Sequence, residues 1–262
     1  MDLSLVLIGI VMFIALIGMI VCSKKQKTNP NAQPVAIALL IIVVVCGFMM
    51  MYKTGVFGSG GAEQFRQIED RYYASQGNVI GKYIAKNFAD QKILVIAERN
   101  FSKDPRVNVL VDAIKEGMGG KADIQVDTVE LANPPKVPQG APEMMDMPLF
   151  ETMTAKDFDN AVQKHPDCTV ILSTIGLPRD NNKMKLWVMD SAKRPKVLLM
   201  GAADLRGIAD SIKRDLITAV ITISPDAKFT EDAPPSDPQK AFDIRYVLVN
   251  KANIDKYSKL FN

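Results

Sequence analysis

Residues that commonly carry catalysis or bind metals are scarce in this sequence. It has one histidine, His165, and three cysteines, and no two cysteines have the C-x-x-C spacing of zinc and redox sites. The phosphate-binding motif G-x-G-x-x-G and the nucleophile-elbow motif G-x-S-x-G are also absent. We therefore predict no metal site, no cofactor and no catalytic residue, and a non-enzymatic protein is favoured over an enzyme.

Charged residues are missing from two stretches near the N-terminus, residues 3–22 and residues 35–52. Their lengths are close to the ~20 apolar residues that a helix needs to cross a ~30 Å hydrocarbon core. A signal peptide is the alternative for the first stretch, but Asp2 precedes it and no small-x-small cleavage site follows it. We predict a two-helix transmembrane hairpin over residues 1–52, with spans at about 3–22 and 35–52.

The loop between these stretches, residues 23–34, carries Lys24, Lys25 and Lys27 and no acidic residue. Short loops rich in lysine stay on the cytoplasmic side of a membrane, and these three outweigh the single Lys53 after the second stretch. We therefore expect a cytoplasmic loop, with the N-terminus and the C-terminal domain both extracytoplasmic. The predicted location is a cell membrane, the inner membrane of a bacterium.

The rest of the chain has no excess of either charge. Residues 53–262 contain 29 Lys+Arg and 28 Asp+Glu, so we predict no nucleic-acid partner. Residues 53–61 are rich in glycine, which predicts a flexible tether. Cys168 is the one cysteine beyond the tether and therefore cannot form a disulfide within this region. We assign residues 62–262 to one extracytoplasmic domain.

Short apolar runs alternate with amphipathic segments along this domain. The runs are continuously apolar and rich in β-branched residues, which favours strands covered on both faces. We predict strands at residues 92–98, 124–131, 168–176, 196–202, 218–224 and 244–250, the last one antiparallel at the sheet edge. We predict helices at residues 62–88, with a break near Gly77, and at 104–118, 154–164, 182–192, 204–216 and 254–261. The predicted fold is a three-layer, doubly wound α/β domain with a mostly parallel sheet.

Two strand-helix-strand units carry a resemblance to known proteins. The segment KILVIAERNFSKDPRVNVLVDAIKEGMGGKADIQVDTVEL resembles the opening of a lobe of the type I periplasmic-binding proteins, and RPKVLLMGAADLRGIADSIKRDLITAVITISPD is similar to later units of such lobes. The same pattern also fits a flavodoxin-like domain. The resemblance implies the architecture of a single lobe, and it assigns no functional residue to this chain.

The carboxyl ends of parallel strands form the predicted ligand edge of such a sheet. For the strand order 2-1-3-4-5, the crevice lies between the loops after the first and third strands. The candidate ligand-binding residues at this edge are Glu98, Arg99, Asn100, Ser102, Asp104, Ser173, Thr174, Asp204 and Ser224. The alternative is that these side chains cap helices and stabilise turns, as Ser, Thr, Asp and Asn do routinely.

Three functions remain open from the sequence. The favoured one is a membrane-anchored, non-enzymatic binding or assembly module that is a subunit of a cell-envelope complex. Its expected partners are the lipid bilayer, other membrane or envelope proteins, and a second copy of the chain. The alternatives are a small-solute receptor acting through a partner, and an enzyme that uses the strand-end crevice. We expect a turn role for His165 and a core position for Trp187.

Overall fold

The computed structural model describes residues 3–25, 32–53, 59–88, 91–120, 122–134, 147–201, 205, 207–230 and 232–261. The chain divides into two compact units, Met1–Gln67 and Ile68–Asn262. Part of the predicted loop 23–34, part of the predicted tether 53–61 and the candidate residue Asp204 lie outside the described residues.

The first unit contains two apolar helices, α1 (Leu3–Lys25) and α2 (Ala32–Lys53), which pack antiparallel. Gly9 lies beside Met50 and Gly18 beside Leu39, and a Cβ atom at Gly18 would come within 2.9 Å of Leu39 Cδ1. Small residues at such contacts let two apolar helices approach closely. By length and composition, one described helix segment, Pro34–Tyr52, is long enough to cross a membrane, and the apolar segment Leu7–Cys22 is shorter.

The described residues contain eight α-helices and six strands, together with short 3₁₀ segments. After α1 and α2 come α3 (Ser59–Asn87), β1 (Lys92–Ala97), α4 (Pro105–Gly117), β2 (Asp123–Thr128), α5 (Leu149–Thr152), α6 (Ala155–Gln163), β3 (Val170–Ser173), β4 (Lys196–Met200), α7 (Ile208–Lys213), β5 (Ala219–Ile223), α8 (Pro238–Arg245) and β6 (Tyr246–Asn250). Residues 59–61, placed in the tether by the sequence, belong to α3.

The six strands form one sheet in the order β2-β1-β3-β4-β5-β6. The first five strands pair in parallel, and β6 pairs antiparallel with β5 at the edge. The mixed α/β class, the mostly parallel sheet and its antiparallel edge strand are therefore confirmed.

Alternate residues of the strands supply two separate cores, one on each face of the sheet. On one face, Leu94 and Ile171 pack with Phe158 of α6 and Ile212 of α7. On the other face, the strands pack with side chains of α3, α4 and α8, among them Ile80, Ile114 and Phe242. Side chains alternate across a strand, so continuously apolar strands require this cover on both faces.

Helix α3 is continuous, so the predicted break near Gly77 is wrong. The glycines of α3 instead allow the backbone of α4 to pack closely against it. A Cβ atom at Gly81 would lie 2.3 Å from the Ile114 carbonyl oxygen in α4, and one at Gly117 would lie 2.2 Å from the Asn78 carbonyl oxygen in α3. Such distances leave no room for a side chain, so each helix contributes a glycine where the two backbones meet.

The predicted helix 182–192 is also wrong. The chain forms two 3₁₀ turns there, Asn181–Lys183 and Lys185–Val188. The buried Asp159 carboxylate accepts the Lys185 N–H at 2.7 Å, a tertiary hydrogen bond that replaces the intrahelical one. Trp187 packs against the core half-buried, and its ring Nε1 donates to the Asn181 carbonyl at 2.6 Å.

Other helix boundaries differ less. The helix predicted at 204–216 is Ile208–Lys213 within the described residues, and the one predicted at 254–261 is a 3₁₀ segment. Helix α8, which begins with an Asp237 cap and Pro238, was not predicted.

Candidate functional site

The crevice between β1 and β3 lies at the carboxyl ends of adjacent parallel strands, as the strand order predicts. Ile96 of β1 is in register with Ser173 of β3. The Thr174 N–H and hydroxyl both donate to the Ile96 carbonyl, at 2.9 and 3.1 Å. Thr174 therefore extends the pairing of the two strands by one residue.

Ser173 is fully buried and its hydroxyl donates to the Gly176 carbonyl at 2.6 Å. Gly176 has a φ of 77°, a conformation that favours glycine. The Ser173 side chain thus stabilises the turn after β3, and its oxygen does not face a ligand space.

Turn and cap geometry also accounts for the loop after β1. Asn100 adopts the left-handed conformation, with φ 64°, next to the 3₁₀ turn that contains the exposed Ser102. Asp104 is the N-cap of α4 and accepts the Arg106 N–H at 2.9 Å. Asp and Asn commonly have these two roles.

The short helix α5 closes the crevice. Its Leu149 N–H donates to Glu98 Oε1 and its Thr152 hydroxyl accepts from Arg99 Nη2, both at 3.3 Å. Leu149 is fully buried in the core, and Phe150 lies within 4.0 Å of a Cβ atom built on Gly176. Helix α5 therefore contacts the loops after both strands, at the edge where a ligand was predicted.

The remaining candidate residues do not complete this site. Ser224 lies after β5, two strands away from β3. Its N–H donates to the Arg245 carbonyl at 2.8 Å and its hydroxyl accepts from Asp226 N–H at 3.3 Å, as in a turn. The structure thus brings together Ser173 and Thr174 with Glu98 and Arg99, and the last two form hydrogen bonds to α5.

Two buried carboxylates on α6, Asp157 and Asp159, were not among the predicted site residues. Asp157 forms a capping box with Thr154, whose N–H donates to the carboxylate at 3.0 Å, and Asp157 also accepts the Ala132 N–H at 3.1 Å. Burial alone would raise the pKa of Asp157, but these hydrogen bonds outweigh it and leave the pKa below its usual value. The T-A-K-D sequence at residues 154–157 was the available signal.

His165 has a tertiary role beyond the predicted turn. Its Nδ1 lies 2.7 Å from Gln125 Oε1 and its Nε2 lies 2.7 Å from Asp127 Oδ2, two residues on one face of β2. The protonated ring can donate to both acceptors at once. Burial raises the pKa of Asp127. The hydrogen bonds from His165 and from Thr128 N–H lower it by a larger amount, so the pKa lies below its usual value.

A second cleft, of about 520 Å³, lies at the carboxyl edge beside β4 and β5. Its polar side chains are Gln76, Thr222 and Tyr246, and the other lining residues are apolar or glycine. No charged residue lines it among the described residues. Burial raises the pKa of the Tyr246 hydroxyl, which favours its neutral form as a hydrogen-bond donor.

The described residues contain no group of three or more His, Cys, Asp or Glu side chains that could hold a metal ion. No protein-family model matches the chain, and no curated protein matches it.

The chain matches solved structures of proteins described as sugar-binding or transporter proteins. They include the sugar-binding protein of a sugar ABC transporter from Bacillus halodurans (12% identity, TM-score 0.44, 71% of this chain and 64% of that one). A carbohydrate transporter protein from Acidothermus cellulolyticus 11B, in complex with myo-inositol, matches with 10% identity, TM-score 0.43, and 71% and 60% coverage. An arabinose-binding protein from Geobacillus stearothermophilus matches with 16% identity, TM-score 0.40, and 71% and 63% coverage.

The chain thus spans less than two thirds of the length of each of these proteins. A likeness this distant does not bear on what this chain binds.

Proposed function

We propose that this chain is a membrane-anchored, non-enzymatic extracytoplasmic module that binds other membrane or envelope proteins, as a subunit of a cell-envelope complex. The closed crevice carries this proposal. In an open α/β sheet, the crevice at the switch point of strand order is where a substrate or ligand meets the strand ends. Here Glu98 and Arg99 hold α5 in that place. We infer that α5 takes the position that a substrate or a solute would otherwise occupy.

The surface of α1 and α2 supports the anchor. Large apolar side chains point outward from both helices, with 64% of Phe13, 62% of Val44 and 59% of Phe48 exposed. A helix pair that is apolar all round is unfavourable in water, whereas in hydrocarbon its backbone polar groups are satisfied within each helix. We infer that this pair crosses a membrane as a hairpin.

The orientation of the anchor follows from the loop lysines. Lys24, Lys25 and Lys27 favour a cytoplasmic loop, which would place residues 59–262 outside the cytoplasm. So short a cytoplasmic segment leaves binding or assembly on the outer side as the main task of the folded domain.

Mild solubilisation of the tagged full-length chain tests the assembly role. The matched control is an unrelated tagged two-span membrane protein, expressed at the same level. We expect a partner, or a second copy of the chain, in fixed stoichiometry by native mass spectrometry in two different mild detergents and absent from the control. A chain that runs as a lone monomer in both detergents would refute the proposal.

A small-solute receptor is the second candidate, because of the 520 Å³ cleft beside β4 and β5. The described part of its lining has polar side chains without charge, which suits a neutral polyol, whose hydroxyls both donate and accept hydrogen bonds. Thermal unfolding of the full chain, followed through the fluorescence of its one tryptophan, Trp187, tests it with arabinose and myo-inositol. If the chain is such a receptor, a bound compound should raise its melting temperature, because a ligand of the folded state stabilises that state. The substitution Thr222→Val should abolish the rise. Equal melting temperatures with and without both compounds would reject this candidate.

A further inference from the structure

A pocket of about 770 Å³ lies at the opposite edge of the sheet, where the strands begin. Thr169 and Lys196, at the starts of β3 and β4, line it, and the Lys196 N–H donates to the Thr169 carbonyl at 2.8 Å. Its volume falls within the ~300–1,000 Å³ that small-molecule sites occupy. This edge is distinct from the closed crevice and from the cleft beside β5.

The deep part of the pocket is apolar. Val162, Cys168 and Leu186 line it and are each buried to more than nine tenths, and Phe88 and Met189 add apolar walls. Burial raises the pKa of the Cys168 thiol, which keeps it uncharged. This apolar lining is suited to the hydrocarbon or aromatic body of a ligand.

The pocket also has an excess of positive charge. Among the described residues, its lining lysines, arginines and acids are four cations, Lys185, Lys193, Arg194 and Lys196, and one acid, Asp159. The three lysines are exposed and make no ion pair within the described part of the chain. Elsewhere in this domain, lysines such as Lys164 and Lys251 are paired with carboxylates. The unpaired cations therefore leave a local field that favours an anion.

The polar groups in the wall are held in place by the fold. Arg194 Nη2 donates to the carbonyls of Trp187 and Met189, at 3.2 and 2.8 Å, which fixes the segment that carries Lys193. Asp159 accepts the Lys185 N–H through Oδ2. Arg194 Nε and Asp159 Oδ1 are buried and have no hydrogen-bond partner in the described residues. Both atoms are enclosed by the protein, so a ligand in the pocket contacts the exposed lysines and not these two atoms.

We propose that this pocket binds a small organic anion, a phosphate or carboxylate group on an apolar body. The anionic group lies among Lys185, Lys193 and Lys196, and the apolar body lies against Val162 and Leu186. This proposal does not depend on the membrane anchor or on the assembly role.

Binding of 4-(trifluoromethyl)phenyl phosphate, measured by fluorine NMR, tests the proposal. The sample is the full-length chain in nanodiscs of neutral phosphatidylcholine, with empty nanodiscs as the blank. The double variant K193Q/K196Q removes two pocket charges. The matched control K103Q/K240Q removes two exposed charges that are not among the residues lining the pocket. Thermal unfolding through Trp187 verifies that both variants are folded.

We expect saturable binding that K193Q/K196Q weakens at least fivefold and that K103Q/K240Q leaves within twofold. The neutral analogue 4-(trifluoromethyl)benzyl alcohol and inorganic phosphate alone should each bind at least tenfold more weakly, since each lacks one half of the ligand. No saturable binding above the blank would overturn the proposal. So would equal affinities in the two double variants, equal binding of the neutral analogue, or equal binding of inorganic phosphate.

Discussion

The substitution Gly81→Ala tests why a glycine lies where α3 packs against α4. Two explanations predict effects of opposite sign on the stability of the protein. If Gly81 is merely a weak helix residue, then Gly81→Ala should stabilise the protein by about 1 kcal/mol, the difference in helix propensity between the two residues. If the glycine is needed for close approach, the same substitution should destabilise it. The distance of 2.3 Å between the new Cβ atom and the Ile114 carbonyl oxygen favours the second explanation.

The size of the effect follows from that distance. Close C···O contacts in proteins lie near 3.3–3.6 Å, so the two helices must separate by about 1 Å. The obstructing atom belongs to the backbone and cannot rotate away, and a gap of this size forfeits about a quarter to a half of each dispersion contact. Overpacking costs about 1–3 kcal/mol, partly offset by the gain in propensity. We expect a net loss of about 1–2 kcal/mol in the free energy of unfolding, because the obstructing atom belongs to the backbone.

Urea unfolding of the full chain in detergent, followed through the fluorescence of Trp187, measures this change. The pair Lys86→Ala and Lys86→Gly, at an exposed position of α3, gives the propensity difference without a packing change. Stabilisation of Gly81→Ala by the amount measured with this pair would refute the packing argument.

Three further predictions concern the hydrogen bonds of the α/β domain. Thr154→Ala should lower the free energy of unfolding by about 1 kcal/mol, because α6 loses its N-cap; no change in the urea midpoint would contradict this. Ser173→Ala should lower the free energy of unfolding by about 1–2 kcal/mol, because its buried hydrogen bond to Gly176 is lost. The binding of 4-(trifluoromethyl)phenyl phosphate should be unaffected. Because the folded-state pKa of Asp127 is lowered, its stabilisation is present above its ordinary pKa of 3.8 and is lost as the pH falls through the lower, folded-state pKa. Asp127→Asn should therefore flatten the loss of stability in acid, and an unchanged pH profile would show that its contact with His165 contributes nothing.

Much of the sheet could be predicted from the sequence, because continuously apolar runs are a strong signal for strands buried on both faces. The runs at 92–98 and 196–202 became β1 and β4 with small changes at their ends. Helices were predicted less well where tertiary contacts decide the backbone. A glycine inside α3 was interpreted as a break because sequence periodicity does not reveal the backbone of α4 lying against it.

The candidate site shows the same limit. The strand order located the crevice between the first and third strands, and the sequence placed Glu98 and Thr174 beside it. Residues 149–152 lie at the end of a proline-rich stretch without periodicity, so nothing in the sequence indicated that α5 would fill the crevice. The pocket at the amino-end edge was missed because its lining combines Phe88 after α3, Val162 of α6 and residues 185–196, which come together only in the folded domain.

Labelling with a membrane-impermeant maleimide tests the proposed topology most directly. The reporters are Ser236→Cys, at an exposed position of the α/β domain, and Lys27→Cys, in the loop between the two apolar stretches. The wild-type chain, with Cys22, Cys46 and Cys168, gives the background. In intact spheroplasts we expect labelling of Ser236→Cys at once and of Lys27→Cys only after permeabilisation. Labelling of Lys27→Cys in intact spheroplasts, with Ser236→Cys protected until lysis, would contradict the extracytoplasmic location of the domain.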